Sequence, residues 1–186
     1  MEVLRRRPSH ALFVLAGIVA LLGSVAASAP ATPAALTEAQ VRAGLLYNFA
    51  AFTEWPDEGS PTGESLVIGV LGADAVGDAL REVRGRSIRG RAIDVRRISR
   101  DVDVRQCHVL YVPASAANWQ GLLSDSKALP ILTVGEHPQF TKLGGVIRLY
   151  TEGSRLRFEV NLTRSKEASL QVSSKLLNLA KIVREP

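Results

Sequence analysis

The chain has 186 residues, 46% hydrophobic and 5% aromatic, with 23 Lys and Arg against 18 Asp and Glu, and a single cysteine, Cys107. One cysteine excludes an intramolecular disulfide and a dithiol redox switch, so the fold must rest on its core. The formal charge of +5 is mild; it implies a solvated surface, or a complement to an acidic partner or anionic membrane, and nucleic acid is a poor partner for an exported chain, whose compartment contains little of it.

The first residues differ from the rest. Arg5, Arg6 and Arg7 precede an apolar run from Ala11 to Ala27, and small residues follow at Ala27, Ser28 and Ala29. This is the composition of a cleavable signal peptide over residues 1–29; a retained membrane anchor is the alternative, with the run at the short limit for a span. No cysteine follows the apolar run to carry a lipid. Removing residues 1–29 takes away three Arg and one Glu, which lowers the charge from +5 to +3. Residues 30–36 read as a Pro/Ala linker, and residues 37–186 as one domain large enough for a real core.

Thr37 and Gln40 match a capping box that opens a helix. Val41, Leu45, Phe49 and Phe52 form its expected buried stripe, and Trp55-Pro56 its end. Tyr47 lies off that stripe. "LVIGVLG", from Leu66, is an apolar run that predicts a strand buried on both faces. "ADAVGDALREV" predicts a helix capped by Asp74. "RSIRG" reads as a turn and "RAIDVRRIS" as a less protected strand. "CHVLYVP" and "PILTVG" predict two further buried strands, with a helix between them carrying Trp119, Leu122 and Leu123 on one side. "VIRLYTEGSRLRFEVNL" predicts a β-hairpin with its turn at Thr151 to Ser154. "SKEASLQVSSKLLNLAKIV" predicts one long amphipathic helix, buried along Ala168, Val172, Leu176, Leu179, Ala180 and Val183. Strand and helix alternate over the first two thirds. The expected fold is therefore α/β: a single three-layer domain, with a mostly parallel central sheet flanked by helices and an antiparallel C-terminal hairpin.

Chemistry-bearing motifs are sparse. Gly69 and Gly72 follow a strand, but their spacing is not that of a dinucleotide loop, and a tight turn accounts for them. Cys107 and His108 are neighbours on a strand and point to opposite faces, so they cannot chelate one metal together. No nucleophile elbow or H-E-x-x-H occurs. No catalytic residue, metal site or cofactor is expected, and the chain does not read as an enzyme. The segment Arg81 to Arg105 holds nine arginines against four acids; a solvated rim is the simpler reading, and a site for phosphate or an acidic protein surface the other.

"VRAGLLYNFAAFTEWP", "LVIGVLG", "CHVLYVP", "ILTVGE", "GGVIRLY", "LRFEVNL" and "SSKLLNLAKIV" occur in an order that resembles the YfiR-like family, from about Leu36 to Val183. The resemblance implies a periplasmic, non-enzymatic protein with a small α/β fold. It further implies binding to the sensor domain of an inner-membrane diguanylate cyclase, which lowers cyclic di-GMP and restrains biofilm formation, and a possible homodimer. With Cys107 alone, such control cannot depend on an internal disulfide. A protein interface needs aromatic and arginine anchors. The candidates are Arg157, Glu159, Asn161 and Arg164 on the last strand and the start of the last helix, with Tyr47 and Trp55 second; a cross-strand pair on a solvated face is the plainer account of Arg157 and Glu159. The alternative function is a periplasmic module that binds a small-molecule effector beyond the carboxyl ends of the strands, near Gly72 and Pro113, and acts with another receptor.

Overall fold

The computed structural model describes residues 35–58, 60–61, 63–99 and 104–184. The signal-peptide reading lies outside these residues, as do most of the linker, the Asp101 and Asp103 acids and Arg100.

Helix α1 (Glu38–Ala51) opens on the expected capping box: Thr37 Oγ1 accepts from Gln40 N, and the Gln40 side chain accepts from Thr37 N. The buried face is rotated from the expected stripe. Ala43, Leu46, Phe49 and Ala50 are buried, Leu45 and Phe52 are half-buried, and Val41 is exposed. The two alanines let the helix approach its neighbours closely, which spacing alone does not reveal. The helix ends at Ala51 and runs into a short strand, β1 (Thr53–Glu54).

The main sheet has eight strands. They are β2 (Ser65–Leu71), β3 (Ser87–Ile88), β4 (Arg91–Ile98), β5 (Val109–Val112), β6 (Leu132–Gly135), β7 (Ile147–Glu152), β8 (Arg155–Asn161) and β10 (Lys181–Val183). Their order is β10-β8-β7-β6-β5-β2-β4-β3. The pairs β4–β2, β2–β5, β5–β6, β6–β7 and β8–β10 are parallel, while β7–β8 and β3–β4 are antiparallel. The central strands are buried on both faces, as their unbroken apolar runs predict. Leu66, Ile68, Val70, Val109 and Tyr111 join one core with α1 and with α2 (Ala75–Leu80). Val67, Leu71, Leu110 and Val112 join a second core with Trp119, Leu122 and Leu123 of α3 (Trp119–Asp125) and with Phe140. The result is the three-layer α/β domain expected. Gly135 and Gly145 bracket the Phe140 ring, and a Cβ at either would strike it.

Three local readings change. "RSIRG" is a hairpin rather than a plain turn: Ser87 pairs with Ala92, and Ile88 with Arg91. Arg89 and Gly90 both have positive φ, 52° and 80°, the backbone a two-residue hairpin turn requires. The β7–β8 hairpin turns more tightly than expected, since Glu152 already pairs with Arg155 and only Gly153 and Ser154 form the turn. The C-terminal segment is not one helix. It forms α4 (Leu162–Glu167), β9 (Gln171–Val172), α5 (Ser174–Leu177) and β10. Ser169 takes φ +55° just past the end of α4, Ser173 caps α5, and β9 pairs with β1 through Thr53–Val172 and Glu54–Gln171. Serines at helix positions compete for backbone bonds and favour caps; pairing with β1 decides the outcome. Of the expected stripe, Ala168 and Leu176 are buried and Leu179 is exposed.

Candidate functional site

β8 carries two faces. Phe158 and Val160 enter the core, and Phe158 meets Phe49 with ring centroids 4.9 Å apart. Arg157, Glu159 and Asn161 lie on the opposite face, and β7 places Arg148 beside Glu159 and Tyr150 beside Arg157. The face grades from open to closed along the strand. Arg157 is 46% exposed and lies 3.7 Å from Glu152. Glu159, two residues on, is buried. Arg148 Nε and Thr141 Oγ1 donate to its Oε1 at 2.8 and 2.7 Å, and Lys181 lies 3.6 Å from Oε2. Burial alone would raise this carboxyl; the Arg148 and Thr141 bonds outweigh it and hold the group below the usual carboxylate range. The Arg148 guanidinium also sits 4.6 Å from the Tyr150 ring centroid, close enough for cation–π attraction.

Asn161 and Arg164 are structural anchors in this geometry. Asn161 is fully buried; its Oδ1 caps α4 by accepting from Arg164 N, and its Nδ2 donates to Thr141 O. Arg164 is 2% exposed and donates to three carbonyls, those of Gly144, Ser126 and Lys127. Its contact with Glu167 is looser, at 3.5 Å. One side chain thus binds α4 to the Gly144 loop and to the 3-10 turn Ser126–Ala128. Of the four candidates on this face, only Arg157 presents its side chain to solvent. Glu159, Asn161 and Arg164 are covered because α4 and the loop from Thr141 to Gly145 fold over that end, a non-local event with no trace in the strand's alternation.

Tyr47 and Trp55 are half-buried against the first core. Trp55 Nε1 donates to His108 O at 3.1 Å, and its ring meets the His108 ring edge-on at 5.9 Å. His108 is buried, and its Nδ1 accepts from Val67 N–H. Arg91 Nη2 lies 2.8 Å from Nε2. Burial first, and the Arg91 charge second, push the His108 pKa down to about 4, so the ring is neutral near pH 7. Cys107 packs into the second core. Gly69 is needed where it stands, because a Cβ there would collide with Cys107 Sγ and Ile98.

A cluster that motif reading passed over lies beyond the carboxyl ends of the central strands. Glu136 Oε1 accepts from Tyr111 Oη at 2.6 Å and from Arg42 Nε at 2.7 Å. Arg42 also meets Glu38 at 2.7 Å. Burial and the neighbouring Glu136 both push the Tyr111 hydroxyl above its ordinary range. With Thr37, Asp74 and the apolar Ala39, Ala75 and Val76, these groups line a cavity of about 390 Å³. The chain reverses its direction of winding between β2 and β5, so this is where a doubly wound sheet opens a crevice. Tyr111, a lone polar aromatic in an apolar strand, and Glu136, just past a strand end, were the available signals. Gly72 lines a separate cavity of about 80 Å³ against β4.

A family model described as YfiR/HmsC-like matches residues 39–181. No curated protein matches the chain. Among solved structures, a conserved domain protein from Vibrio cholerae O1 biovar eltor superposes with a TM-score of 0.50 at 13% identity, over 79% of this chain and 60% of the other. The ABC domain in complex with L-Trp from Streptococcus pneumonia gives a TM-score of 0.52 at 10% identity, over 78% and 60%. The chain therefore spans about 60% of the length of each. At such identities the likeness is one of fold.

Proposed function

The chain belongs to the YfiR/HmsC-like family, and from that premise we propose that it is a periplasmic, non-enzymatic regulator that binds the sensor domain of an inner-membrane diguanylate cyclase and holds the cyclase inactive. Membership supports a regulator of diguanylate cyclase signalling, and it is the observation that carries this reading. A leader peptide over residues 1–29 would deliver the domain to the compartment where such a sensor lies. Arg157 is the proposed contact residue, with Tyr150 beside it; Glu159, Asn161 and Arg164 hold the end of β8 and α4 in the shape presented to the partner. Tyr47 and Trp55 are proposed to support a neighbouring surface rather than to anchor it. A homodimer is compatible with this role.

The test is capture from membranes with the exported chain as bait and Arg157→Glu as the control. The inhibitor reading expects the wild-type chain to retain a membrane cyclase and the charge reversal to lose it. If neither bait retains a cyclase, the reading falls. If both retain one equally, the partner stays and Arg157 leaves the interface.

A second reading, a small-molecule sensor acting with a membrane receptor, is favoured by the cavity over Tyr111 and Glu136. Its volume is within the range of ligand pockets, roughly 300–1,000 Å³, and one neighbour of similar fold is described in complex with L-Trp. Its walls carry Glu38, Arg42, Asp74 and Glu136, so a ligand there would be polar. A thermal-shift screen of polar metabolites against wild type and Glu136→Gln checks it: a shift lost in the variant supports an effector site.

A further inference from the structure

We propose that the outer edge of β4, at Val95 to Arg97, is a docking edge that takes an extended acidic segment of a partner protein as an added strand. The proposal rests on the reading that the chain binds a protein partner, and it places a second contact at the far margin of the sheet from Arg157.

The backbone fixes which groups point outward. Gly72 N–H donates to Ile98 O, and Ile93 N–H donates to Arg86 O. Hydrogen-bonding direction alternates along a strand. Residues 94, 96 and 98 therefore face β2, and residues 93, 95 and 97 face away from it. β3 covers only Arg91 and Ala92, and Gly85 and Arg86 occupy the groups of Ile93. Among the described residues, nothing takes up the outward N–H and C=O of Val95 and Arg97. An open edge of this kind is a template for strand addition.

Charge selects the occupant. The carboxylate of Asp94, within the strand, is already bound by Arg96 at 2.7 Å and Arg84 at 3.1 Å. Among the described residues, Arg86 and Arg97 have no carboxylate partner, the latter donating through Nε to Gly72 O. A second copy would bring arginines against arginines across the same edge, whereas an acidic strand would meet them in register. The small cavity that adjoins the edge carries Asp74, Asp78 and Arg81 beside Val70, Val95 and Arg97, and Arg81 pairs with Asp78 at 3.2 Å. Glutamate at alternate positions, with β-branched valine between them to favour the extended form, is the pattern that fits.

The probe is a short synthetic peptide alternating Glu and Val, with a Lys and Val peptide as reference. Amide hydrogen exchange is followed residue by residue, with the Ile68 amide, inside the sheet, reporting that the fold is intact. The acidic peptide is expected to slow exchange at Val95 and Arg97 by about tenfold or more, the basic peptide to leave them unchanged, and Arg86→Glu to weaken the effect. Val95→Pro, which removes one outward donor at an edge position where proline is tolerated, should abolish it with Ile68 still protected. Unchanged exchange at Val95 and Arg97, or equal protection by both peptides, overturns the proposal. Protection that appears without peptide and grows with protein concentration also overturns it, in favour of a second copy. Membrane capture separates this result from the reading beneath it. A Val95→Pro chain that still retains the cyclase as wild type does sinks the edge and spares the regulator. A wild-type chain that retains none sinks the regulator and leaves the edge to be judged by the exchange data.

Discussion

The two margins of the main sheet are both rich in charge, and they dispose of it in opposite ways. At the β8 and β10 margin, Glu159 is buried under Arg148, Thr141 and Lys181, and Arg164 gives its bonds to the carbonyls of Gly144, Ser126 and Lys127. At the β3 and β4 margin, Arg84, Arg86 and Arg89 are exposed; Arg84 and Arg96 share Asp94 and Arg89 pairs with Glu54, while Arg86 and Arg97 meet no carboxylate among the described residues. The first margin uses charge to fix architecture, and the second leaves charge available. A polar residue on a strand therefore says little about binding until its bonds have been counted.

Substitutions at the closed margin should break the fold before they touch binding. Arg164→Ala leaves the Gly144, Ser126 and Lys127 carbonyls without their donor, and about 3–5 kcal/mol of stability should be lost; urea unfolding of the variant measures it. Glu159→Gln removes the charge that compensates Arg148 in a buried setting and should cost about 2–4 kcal/mol. The Glu159 carboxyl is depressed in the folded state. Its contribution is present above its unfolded pKa, about 4.3, and fades as pH falls through the lower folded value. That acid-side loss should be absent in the Glu159→Gln protein.

His108 sharpens the comparison from the middle of the sheet. Its folded pKa, about 4, lies below the unfolded value of about 6.5. The unfolded chain binds the proton first as pH falls, so stability is full above about 6.5 and declines toward pH 4. The loss approaches about 3 kcal/mol. His108→Asn, whose amide oxygen can accept from Val67 N–H, should flatten that part of the pH profile in thermal unfolding. The smallest stability effect is expected at Arg157→Glu, within about 0.5 kcal/mol, because this side chain is half exposed and its Glu152 contact is long. Its consequence should appear in partner capture instead, the reverse of the pattern expected at Arg164.

Much of the fold is legible in the sequence because the relevant signals are local. Thr37 and Gln40 cap a helix within one turn, Leu66 to Leu71 is apolar on both faces, and Leu156, Phe158 and Val160 alternate as a half-buried strand must. The exceptions are non-local. Nothing in "SKEASLQVSSKLLNLAKIV" announces that Gln171 and Val172 pair with Thr53 and Glu54, and without that pairing the segment reads as a helix. The polar candidates share this difficulty. Alternation places Arg157, Glu159 and Asn161 on one face correctly, but only the packing of α4 and the Thr141 loop shows that the face is closed at one end. Tyr111 and Glu136 were visible as polar residues at strand ends, and their meeting with Arg42 depended on where α1 packs.

The central claim is regulation of a diguanylate cyclase, and the most direct test is the cellular level of cyclic di-GMP. The level is measured in a strain lacking the chain, then after restoring the full-length wild-type chain, and after restoring Arg157→Glu at equal abundance. The account predicts a rise on deletion, a return with wild type, and failure to return with Arg157→Glu. An unchanged level on deletion, in a strain that makes the messenger, would contradict it.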